Sequence, residues 1–303
     1  MPACGTGAGM TAGTSIGFIG TGTMGEPMCR NLVLKSGRKV VAFDRAPEPL
    51  ARLAADGATV AGSPAEVAMA AEIVFVCLPS GAHVEAVCDG KGGLVAQARA
   101  GQTFVDCGTS PVALARSLAT RFAERGADFA DAPIARTRQA AQQGTLSVMV
   151  GAAPAVFTHL EPLIRCFATD VTHCGPAGSG QVVKIMNNMV LAETVAALAE
   201  ALATGRRAGV DPTLLLETLA KGSADSFALR NHGMKAMLPG AYPERAFSAE
   251  YQLKDLGYAL DLAAETGVMV KGAEHAAALL REAIARGHGA QYWPVIAKVV
   301  DAG

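Results

Sequence analysis

The chain carries almost no net charge, few aromatic rings and no paired metal ligands. Its 26 Lys and Arg are offset by 27 Asp and Glu, and the basic residues are scattered. With aromatics at only 5% there is no basic groove lined by stacking rings, so nucleic-acid binding is not expected. The six histidines include no HxxxH pair and the seven cysteines no CxxC pair, which leaves neither a metal site nor a disulfide framework to expect. Cys4, Cys29, Cys77, Cys88, Cys107, Cys166 and Cys174 read as reduced thiols of a cytoplasmic protein. The N-terminus, MPACGTGAGMTAGTS, lacks a basic n-region and an apolar h-region, so residues 1–14 are expected to be a disordered arm rather than a secretory signal. The most apolar long stretch, Val182 to Thr204, is interrupted by Lys184, two Asn and two Glu, which makes it a poor membrane span.

What the chain does have is length and alternation. Its 303 residues exceed the size at which a single core stops growing, so two domains are expected. From Ser15 to about Thr172, short β-rich runs (SIGFIG, KVVAFD, EIVFVCLP, QTFVDCG, LSVMVG) alternate with segments of helical length. Alternating strands and helices imply an α/β fold, a doubly wound, mostly parallel sheet of Rossmann type over residues 15–177. After Gly178 the strands stop, and an all-α C-terminal domain is expected over 178–303, serving the substrate and oligomerisation. Its first helix runs from about Ser179 to Ala208. It is apolar around most of its circumference, which predicts a buried central helix. Arg206 and Arg207 suit its C-terminus, Gly209 its cap, and Asp211-Pro212 opens the next helix.

In IGFIGTGTMGEPMCRNL, Gly20, Gly22 and Gly25 form a G-x-G-x-x-G between a strand and a helix. The first glycine permits the tight turn, the second lets a pyrophosphate approach the backbone, and the third lets helix and strand pack closely. Thr23 and Met24 complete the turn. Asp44 ends the next strand, where a carboxylate accepts hydrogen bonds from the adenosine ribose and repels a 2′-phosphate. Arg45 beside it could accept that phosphate. NAD is therefore the expected cofactor, with NADP possible.

These residues resemble the opening of the β-hydroxyacid dehydrogenases. VCLPSGAHVEAV, VDCGTSP, DAPIARTRQAAQQGTLSVMVG, GPAGSGQVVKIMNNM and FSAEYQLKDLGYAL are similar to that family's further motifs, in the same order, so the resemblance runs from residue 15 almost to the end. It implies hydride transfer to or from a nicotinamide, and a homodimer or homotetramer. It also places Leu78 and Pro79 beside the adenosine and Thr109 near the nicotinamide ribose. The family's usual serine before that threonine is Gly108 here.

KIMNN sets Asn187 and Asn188 three and four residues after Lys184, on one helix face. Three polar groups in so apolar a helix need partners, which a ligand in an interdomain cleft would supply. A lysine can exchange the proton of the reacting oxygen if burial lowers its pKa. The resemblance makes Lys184 the catalytic lysine and Asn188 the substrate-positioning amide, and gives Lys254, buttressed by Asp255, a place by the cofactor. Where most of the family has a Ser-Gly-Gly loop holding the substrate's carboxylate, this chain has Ala135, Arg136 and Thr137. That is similar to the Gly-Arg-Thr of sulfolactaldehyde reductases. A guanidinium here is expected to grip a strong anion; Arg138 is expected to be solvated. The expected substrate is a small anionic hydroxyacid or semialdehyde, with sulfolactaldehyde first. The alternatives are 3-hydroxyisobutyrate, tartronate semialdehyde and succinate semialdehyde or 4-hydroxybutyrate. Imine reductases commonly lack the lysine, and a non-catalytic nucleotide sensor has no use for it.

Overall fold

The computed structural model describes residues 15–302 except Arg245; the arm expected over 1–14, with Cys4, lies outside the described residues. Internal contacts divide the chain into two units, meeting at Lys184/Ile185. The first unit holds strands β1 Ile16–Ile19, β2 Val40–Phe43, β3 Thr59–Val60, β4 Ile73–Val76, β5 Thr103–Asp106, β6 Asp128–Asp131, β7 Ile134–Ala135, β8 Leu146–Gly151 and β9 Ala168–Gly175. Between them lie helices α1 Gly25–Lys35, α2 Pro47–Ala55, α3 Pro64–Ala70, α4 Gly81–Cys88, α5 Leu94–Gln97, α6 Val112–Ala123, α7 Arg138–Gln143 and α8 Pro154–Ile164. Helix α9, Ser179–Arg207, runs across the division.

The strand order is β3-β2-β1-β4-β5-β6-β8-β7, with β9 on β8. All pairs from β3 to β6 are parallel, and β8 runs antiparallel to β6 and β7. The order reverses between β1 and β4, so the C-terminal ends of these strands open the crevice in which doubly wound sheets bind their ligands. The apolar runs follow from burial on both faces. In β4, Ile73 and Phe75 pack on one face with Phe18, Met28 and Leu32, while Val74 and Val76 pack on the other with Phe104, Leu118 and Phe122. Each fully buried side chain of this kind contributes about 1.5–3 kcal/mol.

The second unit holds α10 Pro212–Leu219, a π-helical segment Leu229–Met237, α11 Ala249–Thr266, α12 Lys271–Ala283 and α13 Ile296–Asp301. Asp211 caps α10 by accepting from the Leu214 N–H, as the Asp-Pro pair predicts. Helix α9 differs from the sequence expectation. It is long and apolar enough to cross a membrane by length and composition, yet it is not buried all round. Ile185, Asn188, Ala192, Val195, Ala199 and Leu202 make one buried stripe, whereas Val183 and Val190 are exposed. The spacing of three and four residues in that stripe is what one-sided packing requires. An evenly apolar sequence conceals which side that is.

Candidate active site

The glycine loop joins β1 to α1, and its three glycines do three different things. Gly20 has φ +92°, and a Cβ there would lie 2.3 Å from the Cys77 carbonyl oxygen. At Gly25 a Cβ would lie 1.9 Å from the Gly20 carbonyl oxygen, so the helix start can meet the turn only without a side chain. Over Gly22 there is open space, with no atom within 4 Å of an added Cβ. Thr23 is exposed and Met24, half-buried, precedes the first residue of α1. Thr21 is fully buried, and its hydroxyl oxygen has no hydrogen-bond partner among the described residues. An open crest at the N-terminus of an 11-residue helix is a cradle for phosphate, and a nicotinamide dinucleotide fits it.

Asp44, just past β2, holds this loop in place. Its Oδ2 accepts from the Thr21 N–H at 2.5 Å and its Oδ1 from the Ala46 N–H at 2.8 Å. A carboxylate has about four lone-pair sites, so two stay available for ribose hydroxyls. Arg45 is exposed beside it. Leu78 and Pro79 follow β4, and Thr109 follows β5, all at the C-terminal side of the sheet. A Cβ at Gly108, where the resemblance expects a serine, would make a tight approach of 3.0 Å to the Leu78 carbonyl oxygen. Burial pushes Cys77 up to about 12 and Cys107 well above its usual range.

Two buried carboxylates that sequence reading missed end neighbouring strands in register, Asp106 on β5 and Asp131 on β6. Asp106 accepts from the Gly108 N–H at 2.8 Å and the Ser110 hydroxyl at 2.7 Å, fixing the turn that carries Thr109. Asp131 accepts from the Gly178 N–H at 2.5 Å and the Gln181 N–H at 2.7 Å, fixing the start of α9. Burial raises the Asp131 carboxyl above its ordinary value, against the downward pull of those N–H groups. Both were signalled by an acid closing an apolar run, VD before CGTS and AD before AP.

The loop after β7 corrects the expectation for Arg136. Among the described residues it is the one non-glycine with positive φ, +87°. Its guanidinium donates to the Thr145 carbonyl at 2.7 Å, the Thr169 hydroxyl at 3.0 Å and Asp170 at 2.6 Å. The side chain thus points to Thr145 and to Thr169 and Asp170 of β9, where its charge is already paired. The backbone meanwhile keeps the left-handed turn that a glycine would adopt. Thr137 is exposed and its hydroxyl accepts from the Ala140 N–H at 3.3 Å, capping α7. Arg138 is exposed, as expected. Asn31 on α1 donates to the Ala141 carbonyl at 3.0 Å, so α1 and α7 are tied together.

Lys184, half-buried, stands in the second turn of α9 and closes the first unit. In the second unit Asn188 is 4% exposed and donates to Asp255 at 2.7 Å, while its own amide oxygen accepts from Asn187 at 3.1 Å. Asp255 is 2% exposed and its Oδ1 lies 2.7 Å from the Lys254 Nζ. That ammonium also sits 5.3 Å and 5.1 Å from the ring centres of Tyr251 and Tyr258. Lys254 and Asp255 are therefore not a solvated pair on a helix surface. Asp255 bridges Lys254 to the helix that carries Lys184, and Gln252 supports it by donating to the Asn188 carbonyl at 3.2 Å.

The chain is similar to known proteins along most of its length. Residues 15–175 match the family described as the NAD binding domain of 6-phosphogluconate dehydrogenase. Residues 178–299 match the NAD-binding region of NADP-dependent 3-hydroxyisobutyrate dehydrogenase. The 2-(hydroxymethyl)glutarate dehydrogenase of Eubacterium barkeri is 36% identical over 290 residues, 96% of each chain. The 3-hydroxyisobutyrate dehydrogenase of Pseudomonas aeruginosa is 36% identical over 252 residues, 82% of this chain and 84% of that one. The solved 3-hydroxyisobutyrate dehydrogenase of Mycobacterium tuberculosis, with L-serine, superposes with a TM-score of 0.87 at 30% identity, covering 95% of this chain and 99% of that one.

Proposed function

The chain belongs to the β-hydroxyacid dehydrogenase family and is an NAD(P)-dependent enzyme acting on a CH–OH group; on that premise we propose that its substrate is a short β-hydroxy acid bearing a carboxylate, of the 3-hydroxyisobutyrate type. The observation that carries the carboxylate reading is Arg136. The sulfolactaldehyde alternative depended on that guanidinium, which is taken up by Asp170. What stays at the loop is a left-handed backbone turn, whose amide groups suit a carboxylate held along the chain. The relatives named for 2-(hydroxymethyl)glutarate and 3-hydroxyisobutyrate, and the structure with L-serine, all concern small carboxylates.

The roles follow from the chemistry of each group. A nicotinamide held by the glycine loop would supply the hydride acceptor or donor for the carbinol carbon. Lys184 exchanges the proton of the substrate oxygen through its Nζ, accepting it in oxidation and donating it in reduction. Asn188, its amide fixed between Asp255 and Asn187, presents a set orientation to the substrate. Thr137 and the amides of residues 135–137 receive the acid group. Gly20, Gly22, Thr23, Met24 and Gly25 cradle the pyrophosphate, Leu78 and Pro79 flank the adenosine, and Thr109 and Lys254 meet the nicotinamide half. The Asp44 carboxylate disfavours a 2′-phosphate, so NAD is preferred over NADP.

Arg136→Gly separates the two substrate readings. With the guanidinium turned away, the variant keeps the wild-type KM for carboxylate substrates in steady-state assays. A large rise in KM that is confined to anionic substrates would restore Arg136 as the anchor.

A further inference from the structure

We infer that Gln181 is a positioning residue that sets the distance between the nicotinamide-side turn and the catalytic lysine. The side chain is fully buried, three residues before Lys184 on α9. Its amide oxygen accepts from the Ser110 N–H at 3.1 Å, and its amide nitrogen donates to the Gly108 carbonyl at 2.8 Å. The two bonds straddle Thr109, so both backbone neighbours of that residue are held by one side chain 71 and 73 residues away. The backbone of Gln181 is in turn held by Asp131, through its own N–H.

A closed frame results, in which every member lies in the first unit. Asp106 and Asp131 are register partners on adjacent parallel strands. Asp106 fixes the turn 108–110 from one side and Gln181 from the other, while Asp131 fixes the helix that carries Gln181 and Lys184. The helix start is driven close against the sheet. A Cβ at Gly180 would lie 2.3 Å from the Met149 carbonyl oxygen and 2.9 Å from Asp131 Oδ2. Neither end of the frame can slide without breaking buried bonds, and unpaired buried amides are costly. One side chain thereby couples the ends of β5 and β6 to two groups, one that meets the cofactor and one that meets the substrate. A misplacement of about 1 Å at such a distance can cost about a hundredfold in rate.

The inference rests on the reading of Lys184 as the proton-transfer group and Thr109 as a cofactor contact. Gln181→Met keeps length and apolar bulk but removes both hydrogen bonds. Gln181→Glu keeps the acceptor for Ser110 and loses the donor to Gly108. For Gln181→Met we expect kcat to fall by about tenfold to a hundredfold. The primary isotope effect with cofactor deuterated at C4 should rise, and calorimetric NAD(H) affinity should weaken several-fold. Gln181→Glu should lie between that variant and wild type, and it replaces Gln181→Met if the latter does not fold. A structural role alone would lower the melting temperature and leave KM, the isotope effect and cofactor affinity at wild-type values. That result overturns the inference. Lys184→Met measured alongside distinguishes the failures. If it retains turnover, the reading of the lysine falls. If it is inactive while Gln181→Met and Gln181→Glu behave as wild type, only the role of Gln181 falls.

Discussion

Lys184→Met is expected to lower kcat by about 10²–10⁴-fold, the usual contribution of a positioned proton donor or acceptor, with cofactor affinity unchanged. Methionine preserves the length and apolar contacts of the side chain, so the change removes the proton-exchanging nitrogen and little else. Bonds made by other residues fix this part of α9: Asp131 accepts from the N–H groups of Gly178 and Gln181, and Asn188, four residues further on, donates to Asp255. Folding should therefore survive. Because the glycine loop and Asp44 are tied to each other and not to this helix, calorimetric NAD(H) binding should match wild type. Steady-state turnover that matched wild type would remove Lys184 from the chemistry, and a parallel loss of cofactor binding would make its role structural.

The second large effect is on stability and concerns His232. The residue lies in the π-helical segment of the second unit, 6% exposed, against the rings of Phe227, Tyr292 and Trp293. Its Nδ1 is 2.6 Å from the Tyr292 hydroxyl, and its Nε2 is buried with no hydrogen-bond partner among the described residues. Burial lowers its pKa from 6.5 to about 4. In the folded chain the pKa is depressed, so below pH 6.5 the unfolded chain takes up a proton that the folded chain refuses until about pH 4. Stability present above pH 6.5 is lost as pH falls through that window, by about 3 kcal/mol in full and about 2 kcal/mol by pH 5. Urea unfolding of wild type and His232→Gln at pH 7 and pH 5 isolates this contribution from that of other groups. The wild type should lose about 2 kcal/mol more than the variant between the two conditions. Equal losses would contradict the assignment.

Much of the first unit was legible because its signals are local. Strands buried on both faces read as unbroken apolar runs, and the glycine loop needs its three glycines within six residues. Asp44 and Lys184 stand at fixed offsets from such features. The Asp-Pro start of α10 was equally plain. What escaped sequence reading depends on contacts between distant segments. Gln181 reaches 73 residues back to Gly108, Asn188 reaches 67 forward to Asp255, and Arg136 reaches 34 forward to Asp170. Arg136 shows the cause most clearly. The residue type at the loop after β7 suggested an anion anchor, but the side-chain direction depends on distant partners, and the guanidinium pairs with Asp170 of β9 from a backbone with positive φ. The same limit applies to α9, where an evenly apolar composition gave no means of choosing the stripe that packs.

The acid group that the pocket accepts and the cofactor that it uses are tested together by one set of initial rates. Initial rates should be measured for the wild-type enzyme with NAD⁺ and NADP⁺ against 3-hydroxyisobutyrate and 2-(hydroxymethyl)glutarate. In the reverse direction, NADH and NADPH should be tested against sulfolactaldehyde and succinate semialdehyde. The account predicts the highest kcat/KM for a β-hydroxy carboxylate with NAD⁺. A clear preference for the sulfonate would contradict the substrate reading. A strong preference for NADP⁺ would contradict the role given to Asp44.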